Sequence, residues 1–314
     1  MSRGVVAVTG ATGFLGRHLV RALVADGWTV RVLSRRDIID PDWQGLEPRI
    51  VIGGLSDRAA LDRLCAGATL VIHVAGLIKA RSRADFDRTN VDGSRDVALA
   101  ARAAGARLVL VSSLAAREPS LSDYAASKRG GEEAAREVIG DSLTIVRPPA
   151  IYGPGDMETL GLFKAAQTAP FLPALDPAAR IAMIHVEDAV AAIAGLAIDH
   201  RPGVFALSDA RTDGYSWTEV MTAAARAVGK APYIARVPTW LISALAQLSE
   251  GVSLANGKIS IFTTGKAREM LHLDWSVSDS ESLPSAIAPR YGIDSGFAQS
   301  VQWYRAKGFL VSMD

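Results

Sequence analysis

The sequence predicts an α/β fold, in which a doubly wound parallel sheet is followed by a smaller, mostly helical substrate domain. Three observations favour it. Short apolar runs alternate with helix-length segments in the first half, a glycine-rich turn follows the first run, and glycine and proline cluster after about residue 150. Such alternation is typical of parallel sheets with helices on both faces. The 314 residues suffice for a large core.

The predicted strands are apolar throughout and rich in β-branched residues, as expected of strands buried on both faces. They comprise residues 5–8, 30–33, 50–52, 70–74, 108–111 and 143–146. Helices are expected between them at 14–26, 58–65, 83–104 and 124–139. The second half is expected to contain few strands, of which 203–207 is the clearest, and helices at 217–228, 239–249, 266–271 and 296–307.

A glycine-rich turn, T-G-A-T-G-F-L-G at residues 9–16, joins the first strand to the first helix. Gly10 permits the tight turn, Gly13 lets a pyrophosphate approach the backbone, and Gly16 lets the helix pack closely on the strand. An ordinary βα turn is the alternative, but this position favours a Rossmann-type dinucleotide site at the helix N-terminus. The other predicted contacts of this turn are Thr12, Phe14 and Leu15. We therefore predict a dinucleotide-binding domain at 1–152 and a substrate domain at 153–314, with some of its segments returning to the sheet.

The second strand ends in S-R-R-D, from Ser34 to Asp37. NAD sites usually carry an acid at this strand end, whereas NADP sites use arginine. The Ser34 hydroxyl and the guanidinium groups of Arg35 and Arg36 suit a 2′-phosphate, so NADP(H) is favoured over NAD(H). Asp37 leaves two alternatives open, because it could neutralise an arginine in a solvated turn or serve NAD.

The pair Tyr124 and Lys128 has the spacing of neighbours on one helix face. A nearby ammonium lowers the pKa of a tyrosine, which can then exchange a proton with a substrate oxygen. Ser113, at the carboxyl end of the fifth predicted strand, is our choice to orient that oxygen, with Ser112 in reserve. The alternative for the Tyr/Lys pair alone is a surface pair. Its combination with the glycine turn and the strand-end serines favours catalysis.

In these motifs the chain resembles the extended short-chain dehydrogenase/reductase superfamily, in its NAD-dependent epimerase/dehydratase branch. The resemblance covers nearly the whole chain and rests also on I-H-V-A-G at 72–76, N-V-D-G at 90–93, R-P-P-A-I-Y-G-P-G at 147–155 and H-V-E-D at 185–188. It implies further cofactor contacts from Leu55, Val74, Ala75, Gly76, Asn90, Ser112, Tyr124, Lys128, Pro149 and Ile151. For His185 the resemblance leaves open a ligand role or a helix cap.

The chain departs from the family at three positions, which bear on the cofactor and on the substrate. Gly54 stands where relatives often carry an aspartate for the adenine, unless Asp57 replaces it. Ala150 replaces an asparagine, and Ile181 stands where nucleotide-sugar enzymes carry arginine. The substrate domain instead offers apolar residues, which suit either an apolar pocket or that domain's own core. We therefore favour hydride transfer between NADP(H) and a ketone or secondary alcohol of a largely apolar molecule, as in hydroxysteroid-dehydrogenase and dihydroflavonol-reductase-like members.

Two other functions stay open: a nucleotide-sugar epimerase or dehydratase, and a non-catalytic NADPH-binding sensor or assembly subunit. The net charge of +1 indicates no nucleic-acid partner. The single cysteine, the absence of a signal pattern and the lack of a long apolar run lead us to expect a cytoplasmic protein. No metal is expected. Residues 240–248 are expected to pack inward, so membrane contact is not expected. The resemblance leaves room for a homodimer through 83–104 and 124–139.

Overall fold

The computed structural model describes residues 3–37, 43–255 and 262–311, apart from the side chains of residues 254 and 255. The chain forms two compact units. The first comprises Met1–Arg147 and Val190–Phe205, and the second comprises Pro148–Ala189 and Ala206–Asp314. Each unit has its own hydrophobic core.

The first unit is built on a seven-stranded sheet with the order β3-β2-β1-β4-β5-β6-β11. All neighbouring pairs from β3 to β6 are parallel, which confirms the predicted doubly wound arrangement. The strands of this sheet are β1 (Val5–Thr9), β2 (Thr29–Ser34), β3 (Arg49–Ile52), β4 (Leu70–His73), β5 (Arg107–Val111), β6 (Thr144–Arg147) and β11 (Gly203–Ala206).

The helices that cross between these strands fall where the apolar periodicity predicts them, except the last, which the periodicity did not predict. They are α1 (Phe14–Ala25), α2 (Arg58–Cys65), α3 (Arg83–Phe86), α4 (Gly93–Ala103), α5 (Asp123–Ile139) and α7 (Val186–Ile198). A π-helical turn, Asp87–Asp92, joins α3 to α4, so the predicted helix 83–104 contains an irregular middle. The turn includes Asn90, which belongs to the candidate site. π-Helical turns inside helices occur frequently at functional sites.

The core on one face of the sheet explains the apolar character of the strands. Leu61 and Leu64 of α2, Val97 of α4 and Leu108 and Leu110 of β5 are almost completely buried in one cluster. Side chains of this size each contribute about 1.5–3 kcal/mol when they leave water. The cluster places α2, α4 and α5 firmly on the sheet, and it therefore also positions the candidate catalytic helix.

The second unit contains helices together with three short pairs of parallel strands. The pairs are β7 (Ala150–Tyr152) with β10 (Met183–His185), β8 (Phe171–Ala174) with β12 (Tyr233–Arg236), and β9 (Arg180–Ile181) with β13 (Asp274–Trp275). The helices are α6 (Leu160–Thr168), α8 (Trp217–Val228), α9 (Thr239–Ala255), α10 (Thr264–Leu271) and α11 (Ile293–Ala306). These strands have two to four residues, too few for a recognisable pattern, so the sequence did not predict them.

Two expectations for the second unit can be compared with the structure. Of the two alternatives left open for the apolar residues of this domain, the core is the one that Phe163, Leu172 and Met183 support, because all three are buried in it. Conversely, the expectation that residues 240–248 pack inward is wrong in part, because Trp240 is 67% exposed and Leu248 is 65% exposed. Within the described parts of the chain, no helix has the length and hydropathy needed to cross a bilayer.

Candidate active site

The glycine turn has the geometry of a phosphate cradle. Gly10 has a φ of +72°, and a Cβ there would lie 2.5 Å from the Ala75 nitrogen. A Cβ at Gly16 would lie 2.1 Å from the Gly10 carbonyl oxygen, so only glycine lets α1 approach the turn this closely. Gly13 caps α1 without a side-chain hydrogen bond, and the first helical turn carries no acid. The backbone and the helix dipole therefore favour an anion at this end of α1, which fits a dinucleotide pyrophosphate.

The end of β2 presents two exposed guanidinium groups. Ser34, the last residue of β2, is buried, and its hydroxyl donates to the Arg36 carbonyl oxygen at 2.6 Å. Arg35 and Arg36 are exposed. Among the described residues neither forms a salt bridge, including with Asp37. This arrangement leaves the positive charge of both arginines available to an anionic ligand.

The adenine side of the site lacks the carboxylate that relatives often carry. Asp57, the only proposed replacement, accepts a hydrogen bond from the Ala60 N–H at 3.0 Å and thereby caps α2. Leu55 packs against the start of α4, because a Cβ at Gly93 would lie 2.8 Å from the Leu55 Cδ1 atom. The Asp57 carboxylate, the proposed replacement, thus already serves as the N-cap of α2.

Asn90 connects the loop after β4 to the helix that carries Tyr124. Its side chain accepts from the Leu77 N–H at 2.8 Å and donates to the Leu77 carbonyl at 3.0 Å. It also donates to the Ser127 hydroxyl at 2.8 Å, and that hydroxyl donates to the Tyr124 carbonyl at 2.8 Å. Asn90 and Ser127 are buried. Sequence analysis missed Ser127, although its position inside the Y-x-x-x-K segment was a usable signal.

Tyr124 and Lys128 lie on α5 in different environments. Tyr124 is half-buried in the first turn, with its ring centroid 6.1 Å from that of Phe86. Lys128 is buried, and its ammonium donates to the Val111 carbonyl at 2.9 Å. Burial lowers the pKa of Lys128 to about 8, and the Glu132 carboxylate opposes this shift. The lysine therefore stays mainly protonated at pH 7 and places a positive charge inside the site.

The structure brings the loop after β4 close to this lysine. A Cβ at Gly76 would lie 3.1 Å from the Asn90 Oδ1 atom and 3.4 Å from the Lys128 Nζ atom. The space above Gly76 is thus bordered by an amide oxygen and an ammonium. Val74 and Ala75 precede it in the same loop after β4. The predicted residues Gly76, Asn90 and Lys128 therefore lie together in the first unit.

The two strand-end serines differ in their hydrogen bonds. The Ser113 hydroxyl accepts from the Ala115 N–H at 3.2 Å and caps a short 3₁₀ helix, Leu114–Arg117. The Ser112 hydroxyl is buried and has no hydrogen-bond partner among the residues that the structure describes. Each serine retains a hydroxyl proton that none of these bonds uses, so the choice of Ser113 stays a prediction and Ser112 stays the alternative.

His73, at the end of β4, is a buried polar group to which sequence analysis gave no role. Its Nδ1 atom lies 2.6 Å from the Thr9 hydroxyl oxygen, and its Nε2 atom is buried without a partner. Burial, together with the nearby Lys128 ammonium, lowers the pKa of His73 to about 3. The imidazole is therefore neutral, which adds no second positive charge beside the lysine.

The remaining predicted positions belong to the second unit. Pro149 precedes β7, and Ile151 lies in β7 opposite Ile184 of β10. His185 is buried, and its Nδ1 atom accepts from the Glu187 N–H at 3.3 Å in the first turn of α7. This bond supports the interpretation of His185 as a helix cap. Among the described residues, no group of His, Cys, Asp or Glu side chains could hold a metal ion.

Comparison with known proteins identifies the family and near relatives. The model of the NAD-dependent epimerase/dehydratase family matches residues 6–204. A Caulobacter vibrioides protein named ceramide reductase is 55% identical over 309 residues, which cover 98% of this chain and 97% of that protein.

Two more distant matches add context. A Stigmatella aurantiaca protein is named 4-hydroxy-2-methyl-3-oxo-4-farnesyl-3,4-dihydroquinoline-1-oxide ketoreductase, and it is 36% identical over 52% of this chain and 55% of its own length. The crystal structure of gox2253 superposes with a TM-score of 0.78 at 23% identity, covering 98% of this chain and 99% of that one. The first match spans about half of each chain, and the second concerns the fold alone.

Proposed function

Because the chain belongs to the NAD-dependent epimerase/dehydratase family and is an NAD(P)-dependent oxidoreductase or epimerase, we propose that it uses NADPH to reduce a ketone of a ceramide-type lipid. One structural observation carries the catalytic part of the proposal. The buried Lys128 ammonium lies one helical turn from Tyr124, and Asn90 links their helix to the loop after β4 by hydrogen bonds. The substrate class is supported by the similarity, across nearly the whole chain, to a protein named ceramide reductase.

The proposed reaction adds one hydride and one proton across a C=O bond. When bound, the nicotinamide cofactor supplies the hydride to the carbonyl carbon. Tyr124 donates its hydroxyl proton to the carbonyl oxygen as negative charge develops there. The Lys128 ammonium stabilises the phenolate that remains. Ser113, or Ser112 in its place, donates a hydrogen bond that holds the carbonyl oxygen.

Residues of the first unit fit the cofactor that this chemistry needs. The turn from Gly10 to Gly16 and the N-terminus of α1 would hold the pyrophosphate, for the steric reasons given above. Ser34, Arg35 and Arg36 would hold the 2′-phosphate of NADPH. Support for NADPH over NADH is the absence of an acid at the end of β2 and the two guanidinium groups there, which form no salt bridge with any described residue.

A nucleotide-sugar substrate is the main alternative, and the arginine next to the position where such enzymes carry one is held in other contacts. Arg180, beside the Ile181 position, donates to the carbonyls of Pro177 and Ala179 at 3.0 Å each. Its guanidinium is therefore engaged by its own turn. A sugar diphosphate requires cations that are free to pair with it.

Replacing Tyr124 with phenylalanine tests the proposal. We expect kcat for NADPH oxidation with a keto-ceramide to fall by about 10²–10⁴-fold, because the proton donor is lost. The dissociation constant for NADPH should stay unchanged, since the ring is retained. The measurement combines NADPH absorbance with a binding titration.

Tyr233→Phe is the matched control, because this tyrosine is 74% exposed on β12, and its turnover should equal that of wild type. Undiminished turnover in Tyr124→Phe would contradict the catalytic assignment. Tight NADPH binding without turnover of any carbonyl would favour a sensor or assembly subunit. Conversion of UDP-sugars would favour the epimerase alternative.

A further inference from the structure

Helix α9 exposes an apolar face. Trp240, Leu245, Leu248 and Val252 are 67%, 48%, 65% and 53% exposed, and Ala244 is exposed as well. At 3.6 residues per turn, these five positions fall within an arc of about 140°. No charged residue lies in this arc. We call these five residues the α9 apolar face.

The opposite side of α9 is the one that packs against the protein. Ala246 is fully buried there, and Ile242, Ser243, Ser249, Glu250 and Ser253 are partly buried. A surface helix normally buries its apolar stripe and exposes its polar residues. Helix α9 instead exposes four large apolar side chains and partly buries three serines, and an exposed apolar patch of this kind is typical of an interaction site.

A second copy of the chain is a poor occupant for this face. A helix of 17 residues is about 25 Å long, and a stripe about 10 Å wide therefore offers roughly 250 Å². Stable protein interfaces bury about 800 Å² on each partner. The face is too small to hold a dimer together by itself, but burial in lipid needs no matching protein surface.

The composition of the face and its surroundings favour a lipid surface. Tryptophan and leucine are typical of helices that lie in the plane of a bilayer with the apolar side inserted. Arg236 ends β12 just before α9 and is exposed, and it pairs with no described residue. Arg236 and Thr239 line one recess at the start of the helix, together with Asp176. A guanidinium at this position complements the phosphates of anionic lipids.

We propose that α9 docks on the surface of an anionic phospholipid bilayer, from which the enzyme takes its lipid substrate. The substrate part of this inference rests on the proposed function, because a ceramide-type ketone resides in membranes. The docking part rests on the exposure of the face and on Arg236. Helix α9 would lie on the bilayer without crossing it.

The test is co-sedimentation with vesicles of phosphatidylcholine containing phosphatidylglycerol. We expect wild type to pellet with them. The double variant Trp240→Ser/Leu248→Ser should bind on the order of 100-fold more weakly, because two large side chains no longer leave water. Arg236→Gln should weaken binding to these vesicles but not to pure phosphatidylcholine. The matched control is Leu273→Ser/Val311→Ser, which removes apolar side chains that are 49% and 72% exposed outside α9, and it should pellet like wild type.

Turnover separates this inference from the proposed function. With a short-chain, water-soluble keto-ceramide, the Trp240/Leu248 variant should retain wild-type kcat, whereas turnover of a long-chain substrate in vesicles should fall. Wild type that stays in the supernatant, or a double variant that pellets equally, would overturn the docking proposal whatever the activity. A dimer that forms in wild type and is lost in the double variant would also overturn the docking proposal. Vesicle binding without turnover of either ketone would leave docking intact and reject the proposed reaction.

Discussion

Lys128 and His73 illustrate, at the residue scale, how the site controls charge. Both are buried near the carboxyl ends of the central strands, and burial lowers the pKa of each. The lysine has the Val111 carbonyl as a partner for its ammonium and keeps its proton at pH 7. The histidine, which lies near the Lys128 ammonium, does not hold a second proton at pH 7. One positive charge thus remains to act on Tyr124.

The low pKa of His73 predicts acid sensitivity of the fold. Its pKa is about 3 in the folded chain against 6.5 for an ordinary histidine, so between these values only the unfolded chain takes up the proton. Its contribution to stability is complete above pH 6.5 and decreases as pH falls towards 3. At pH 5 the loss amounts to about 2 kcal/mol.

We expect His73→Gln to unfold in urea with a smaller change in midpoint between pH 7.5 and pH 5 than wild type shows. His200→Asn is the control, because His200 is exposed, and it should retain the wild-type dependence on pH. An identical pH dependence in His73→Gln and wild type would show that the protonation of this imidazole does not limit stability.

Ser34 provides the test of cofactor preference. Ser34→Asp places a carboxylate at the end of β2, where it would repel a 2′-phosphate and accept a ribose hydroxyl. We expect the dissociation constant for NADPH to rise at least about tenfold and that for NADH to fall, as measured by fluorescence titration. Ser142→Asp, at an exposed serine, should leave both constants unchanged. If wild type already binds NADH more tightly than NADPH, the preference proposed for the arginines is wrong.

At the scale of elements, a buried ion pair ties the catalytic helix to the sheet. Arg147, the last residue of β6, donates to the two oxygens of Glu132 on α5 at 2.9 and 2.6 Å. Both side chains are almost completely buried. Removing one partner of such a pair leaves an uncompensated charge, whereas removing both often costs little.

We therefore expect Arg147→Met to lower the free energy of unfolding by about 3–5 kcal/mol. The double variant Arg147→Met/Glu132→Met should recover most of this loss. Arg58→Met breaks the exposed pair with Asp62 and should cost less than about 1 kcal/mol. Urea denaturation measures all three, and a double variant no more stable than Arg147→Met would refute the explanation by uncompensated charge.

The elements also show where prediction from sequence succeeds. The first six strands of the sheet and the crossing helices other than α7 were predictable, because burial on both faces requires uninterrupted apolar runs. The short strand pairs of the second unit were not, since two to four residues carry no period. The π-helical turn around Asn90 was missed for a related reason: a local change in helical hydrogen bonding leaves no trace in hydrophobic spacing.

At the scale of the whole molecule, the family and the proposed substrate explain different features. The sheet order and the glycine turn serve cofactor binding and are shared across the family. The α9 apolar face belongs to the second unit, and it is the feature that would suit the proposed lipid substrate. A water-insoluble ketone makes delivery from a bilayer a requirement, which a soluble sugar nucleotide would not impose.

The sequence by itself determined the fold class, the glycine turn and the Tyr124/Lys128 pair, because each depends on residues close together in the chain and on fixed helical or strand periods. Only the tertiary structure decided which distant groups meet. It joined Asn90 to Ser127, placed His73 near Lys128, committed Asp57 to a helix cap and turned the apolar side of α9 outward. These outcomes depend on packing between segments far apart in sequence, and no local pattern encodes which side of a helix its neighbours will cover.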